Sequence, residues 1–186
     1  MTDQPPEALV SSVRESFGRL VYSHKTHEKE IEILVRTRTC LRWAEVILIA
    51  LAAGGAFSVL FGTGFWLQVA TAMLATCATA VTLYQLSFDP DHAIHEHRRC
   101  ARQLWLIREE YVNLLADLAD AAMPEATARK RRDELLRELH AVYRDAPYTS
   151  ARAYAIAHSA LKLREEMTFT EDEIDKFLPW PMRRKA

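Results

Sequence analysis

The side chains able to do chemistry in this sequence fall into a few groups. His24, His27 and Glu28 stand close together, and so do His92, His95 and His97. On a helix His24 and His27 share a face, as do His92 and His95, which is a metal-compatible spacing without a recognised ligand set. A polar helix face near lipid headgroups, or a subunit contact, accounts for them equally well. The run Arg129, Lys130, Arg131 and Arg132 follows Pro124 at the start of a helix. Helix N-terminal amides and guanidinium forks both suit phosphate, so this run is the best anion site in the chain. Arg152, Lys162 and Arg164 would add to it from the next helix, and Lys25 from "HKTHEK". Against that stands the proximity of Asp133, Glu134 and Glu138, which offer Arg131 and Arg132 solvated intrahelical pairs. No Walker-type loop, GxSxG or HExxH is present, so no enzyme is expected, and no cofactor or bound metal.

A different kind of chemistry is suggested by Gln68, Thr71, Ala75, Thr79 and Thr82. At helical spacing they fall within a sector about 120° wide, with Ala70, Met73, Cys77, Val81 and Tyr84 opposite. Such a small polar stripe either lines a water path or allows close helix packing. Glu45 is either an acid at a pore mouth, attracting cations, or a snorkelling side chain beside Arg42.

These residues sit in an unusual setting. From Val46 to Phe88 there are 43 consecutive residues without an Asp, Glu, Lys or Arg, in a chain that is 26% charged overall with net charge −1. About 20 apolar residues cross a bilayer core. The run therefore fits two spans, Trp43 to Phe61 and Phe65 to Phe88, joined by a turn in "FGTGF". It begins too far in, and is too long, for a signal peptide. Ala50, Gly54 and Ser58 put a small residue at every fourth position of the first span, the pattern of a contact seam. Lys25, Lys29, Arg36, Arg38 and Arg42 precede the hairpin, and Arg98, Arg99, Arg102 and Arg108 follow it. That balance predicts both termini in the cytoplasm and the turn outside, with Trp43 and Phe65-Trp66 at opposite interfaces. Cys40, Cys77 and Cys100 are scattered, which suits a reducing compartment and no disulfide framework.

The flanking segments read as helices throughout. Val10, Val13, Phe17, Leu20, Val21, Ile31, Leu34 and Val35 mark an amphipathic helix running towards the first span. After a break at Asp89-Pro90-Asp91, Leu104, Ile107, Tyr111, Leu114 and Leu118 mark a second one, ended by Pro124. A third buries Leu135, Leu139 and Val142 and stops near Pro147. Thr149 or Ser150 caps a fourth, and Thr170 with Glu173 has capping-box spacing before a fifth. The expected fold is all-α: an N-terminal cytoplasmic helix (1–42), a transmembrane hairpin (43–88) and a C-terminal helical region (89–186), the outer segments forming one cytoplasmic bundle.

"YSHKTHEKE", the hairpin, "QLWLIREEYVNLLADL", "RKRRDELLRELHAVYRDAPYTSARAY" and "TFTEDEIDKFLP" together resemble the SLATT family, from about Leu20 to Pro179. Each motif alone is weak; their order and spacing carry the resemblance. The family comprises bacterial two-span effectors associated with SMODS nucleotidyltransferases and SLOG nucleotide-sensing proteins. The resemblance implies a pore-forming anti-phage effector in the inner membrane. It also implies control by a nucleotide or oligonucleotide from a partner nucleotidyltransferase, or by contact with that partner. Two spans cannot enclose a pore, so a homo-oligomer is expected, with a tetramer as the working number. The alternative is a non-conducting membrane scaffold or sensor regulated by direct protein contact.

Overall fold

The computed structural model describes residues 7–59 and 64–184, and its described residues contain helices and no strands. The expected turn, with Gly62 and Thr63, lies outside the described residues. Helix α1, Glu7–Val59, is one unbroken helix of 53 residues. It passes straight through the boundary expected at residues 42 and 43. Neither proline nor a capping residue interrupts it there, and the periodicity simply changes from amphipathic to apolar all round. Helix α2, Phe65–Phe88, returns beside it. Next come α3 (Pro90–Ala119), α4 (Glu125–Arg144), α5 (Ala151–Lys162), the short α6 (Glu171–Phe177) and a 3-10 turn, Trp180–Met182.

Local chemistry explains most of the boundaries. Asp89 is at once the end of α2 and the cap of α3: its φ is 30°, and its Oδ1 accepts from the His92 amide at 3.0 Å. Pro90 takes the first helical position, where no amide is needed. Pro124 precedes α4, and the Ser150 hydroxyl caps α5 by accepting from the Ala153 amide. Thr170 and Glu173 close a reciprocal capping box on α6.

The core lies where the N-terminal half of α1 packs on α3 and α4. Leu9, Val13 and Leu20 meet Leu104, Ile107, Tyr111 and Leu114, with Leu135 and Leu139 of α4 closing the far side. Val142 is packed at its edge. Helix α5 lies along α1 and buries only alanines, Ala153, Ala157 and Ala160. Side chains that small let its backbone approach α1 closely. The hairpin is the opposite case. The apolar window of α1 is 0% buried and that of the α2 segment 6% buried. A core helix of a soluble protein would be mostly covered, so this exposure identifies two helices suited to lipid, each long enough to span it.

Candidate functional site

Glu45 lies half a turn beyond Trp43 on α1 and points at α2. Its Oε2 accepts from the Gln85 amide at 2.8 Å, and its Oε1 accepts from the Thr82 hydroxyl. A carboxylate at the edge of an apolar span is costly unless its oxygens are satisfied. Here the second helix satisfies both, so Glu45 ties the base of the hairpin together. Among the described residues it makes no ion pair with Arg42, which turns to Asp91 at 3.2 Å instead. Sequence reasoning missed Gln85. Its signal was a side-chain amide one turn after Thr82, in a run whose other amide is Gln68.

The stripe on α2 splits between two environments. Thr71 and Thr82 are half-buried against α1, whereas Gln68, Ala75 and Thr79 are exposed on the outside of the hairpin. Thr71 and Thr79 donate their hydroxyls to the carbonyls of Leu67 and Ala75, four residues back. On the opposite side Met73 is 64% exposed. Along α1 the residues turned to α2 are Glu45, Leu48, Ala52 and Gly55. Gly55 is the point of closest approach: a β-carbon there would lie 2.2 Å from Thr71 Oγ1. Ala50 and Gly54, the first two members of the expected seam, remain exposed, and a β-carbon on Gly54 would meet nothing within 4 Å.

The histidines pair across the two sequence groups instead of within them. His27 of α1 and His97 of α3 share a hydrogen bond between their Nδ1 atoms at 2.9 Å, and Cys100 Sγ lies 3.4 Å from His27 Nε2. Burial, then repulsion from His97, holds the His27 imidazole down at about 4, and burial lowers His97 too. His92 and His95 are exposed. Among the described residues no three His, Cys, Asp or Glu side chains gather as a metal site requires.

The anion-binding candidates are spread over three helices. Arg129 is engaged by Glu125 at 2.6 Å, and Arg132 by Asp133 at 2.7 Å. Arg131 meets Glu110 of α3 as well as Glu134 and Glu138 on its own helix. Lys130 is exposed and makes no ion pair among the described residues. Helix α4 rests on α3, while Arg152 and Lys162 sit on α5, which rests on α1. Lys25 is 3.1 Å from both Glu28 and Glu166, and Lys29 is 3.5 Å from Glu166. Burial alone would lower the Lys25 ammonium; its hydrogen bonds to Glu28 and Glu166 outweigh that and raise it. The structure therefore does not bring Arg129, Lys130, Arg131, Arg152, Lys162 and Lys25 into one site.

A buried acid, Glu30, explains part of "HKTHEKE". Its Oε2 accepts from both the amide and the hydroxyl of Ser150, at 2.6 and 2.7 Å. It thereby fastens the start of α5 to α1, a contact spanning 120 residues that no spacing rule reveals.

An apolar hairpin, a carboxylate locking its base and a helical body that continues from its first span form a consistent membrane-embedded architecture. Comparison with curated proteins and with solved structures returns no match. The family model that does match, SMODS and SLOG-associating 2TM effector domain family 4, covers residues 9–173, and the chain belongs to that family of two-span effectors.

Proposed function

We propose that several copies of this chain assemble into an ion-conducting pore in the bacterial inner membrane. In that assembly the second span lines the path with Gln68, Thr71, Ala75, Thr79 and Thr82, and Glu45 stands at its mouth. Both termini and the helical body then face the cytoplasm. One observation carries the reading: Gln68, Ala75 and Thr79 lie outside the intramolecular seam, on a surface the single chain leaves open. A polar stripe spent wholly on packing the hairpin would have been turned inward. The effector role in anti-phage defence follows from the family, and opening is set by a nucleotide or oligonucleotide that a partner enzyme supplies to the helical body. A ligand of this kind acts by preferring one state of the assembly.

The test is ion flux from liposomes holding the purified chain. Thr79→Leu dries and narrows the path, because apolar constrictions gate by dewetting, and it should cut flux while insertion persists. Met73→Leu on the opposite side should conduct as the parent does. Equal flux from Thr79→Leu and the parent would make the stripe a packing surface.

One observation favours a second reading of the control step. Arg129, Arg131 and Arg132 of α4 are already neutralised by Glu110, Glu125, Asp133, Glu134 and Glu138, so a phosphate must displace carboxylates to bind there. Control through direct contact with a partner protein avoids that cost. Calorimetry with cyclic di- and trinucleotides separates the two. Weaker binding after joint replacement of Arg129, Lys130 and Arg131 by Gln supports the nucleotide, and unchanged binding clears these residues.

A further inference from the structure

The clefts of the helical body differ in charge and in distance from the spans. One of about 430 Å³ opens between α1 and the start of α5. Its charged lining is Lys29, Arg36, Arg152 and one carboxylate, Glu32, which is an excess of two positive charges; Ile33, Leu41 and Ile156 supply apolar wall. The larger cleft at the other end of α5, about 670 Å³, balances Arg108 and Lys162 against Glu109 and Glu166. Lys29 is 2.9 Å from Glu32, so the acid is neutralised from within the cleft. Arg36 and Arg152 are exposed and make no ion pair among the described residues. Their neighbours Arg38 and Arg42 are not spare in this way, since both reach Asp91, at 2.8 and 3.2 Å.

Position decides what such a cleft meets. Leu41 and Arg36 are two and seven residues before Trp43 on one continuous helix. They lie about 3 and 10 Å along its axis from the start of the span. The headgroup layer is about 5–7 Å deep on each side of the hydrocarbon core, and long basic side chains reach towards it. Leu41 then faces the glycerol and first methylenes, Arg36 stands above it within reach of the phosphate layer, and Arg152 lines the same cleft from α5.

We propose that this cleft is a headgroup site for an anionic glycerophospholipid, with Arg36 and Arg152 holding the phosphate. Because Arg36 is on α1 and Arg152 on α5, the bound lipid bridges the two helices and fastens α5 to the membrane-proximal part of α1. The inference requires the hairpin to sit in a bilayer; it does not require conduction.

Native mass spectrometry of the full chain in neutral detergent tests it, with phosphatidylglycerol as probe and phosphatidylcholine as zwitterionic control. The parent should retain phosphatidylglycerol selectively. Joint Arg36→Gln and Arg152→Gln replacement should weaken that binding about tenfold or more, at unchanged helicity. Joint Arg36→Lys and Arg152→Lys replacement should keep most of it, which separates loss of charge from loss of fold. Equal binding by the parent and the double Gln variant overturns the site. So does an equal loss from Arg14→Gln with Arg137→Gln, two exposed positions elsewhere on the body. Displacement of the lipid by equimolar glycerol 3-phosphate would mark a site for soluble phosphate and also overturn the lipid assignment.

Discussion

Helices α2 and α3 follow one another in the chain, are of similar length, and behave in opposite ways. Over its 30 residues α3 buries nine side chains, from Ile94 to Leu118, whereas the 24 residues of α2 bury one, Ala78. Helix α3 has found its partners within the chain, whereas α2 meets α1 along one side and leaves the rest of its surface open. A helical body that carries its own core folds by the hydrophobic effect in water. A hairpin with Trp66 at 80% and Phe88 at 68% exposure needs lipid or further copies around it. Stability therefore resides in the helical body, and the hairpin's surface is left for lipid or for other copies.

The largest effect that could break this comparison is a core truncation. Tyr111 is 0% exposed, and Tyr111→Ala should cost about 3–5 kcal/mol in chemical denaturation of the detergent-solubilised chain. Met73→Ala on the open face of α2 should move the same transition by less than about 0.5 kcal/mol. Comparable losses at the two positions would mean that the hairpin contributes to the same core.

Acid should select the helical body next. The His27 imidazole is held near 4 in the folded chain against an ordinary value of 6.5, so the unfolded chain binds the extra proton first. Stability contributed by the neutral pair is complete above about pH 6.5 and is lost as pH falls towards 4. The loss is about 3 kcal/mol if the shift is fully expressed. Glu30 opposes it, while His97 and His24 reinforce it. His27→Gln should flatten the slope between those pH values; an unchanged slope would assign it to other groups.

A smaller effect sharpens the hairpin side. Glu45→Ala removes the acceptor of Thr82 and Gln85 and should cost about 1.5–3 kcal/mol, the range for hydrogen bonds to a charged group. A disulfide-trapping pair across the base of the hairpin would report the separation, and undiminished trapping would show that apolar packing alone holds it. Smallest of the four is Gly55→Ala, which drives a methyl into Thr71 Oγ1 and should cost about 1 kcal/mol. Thr71→Ala should recover most of it in a double-mutant cycle, and strict additivity would place the strain elsewhere.

What could be read from the sequence was local. Pro90, Pro124, Ser150 and Thr170 announce helix ends because a cap or a missing amide acts within one turn. Leu104, Ile107, Tyr111, Leu114 and Leu118 announce a buried face because the helix repeats every 3.6 residues. His27 with His97, Glu45 with Gln85 and Glu30 with Ser150 were beyond such rules. Each joins residues at least 40 apart in the sequence, and only the packed arrangement brings them together. The intrahelical pairing of Arg131 and Arg132 was legible as a competing account of the basic run; the reach of Arg131 to Glu110 on α3 was not.

The two spans enter the helical body by different joints. The first belongs to a single helix about 80 Å long, with no break anywhere along its described length. The second is separated from α3 by Asp89, a non-glycine residue in the left-handed region at φ 30°. One connection behaves as a drive shaft and the other as an elbow. A twist applied to α1 among α3, α4 and α5 is delivered to the first span as rotation about its own axis. A change of angle between α2 and α3 is absorbed at one residue and leaves both helices straight. If the proposed control by the helical body operates, these two joints make the relative angle of the spans the quantity it would change.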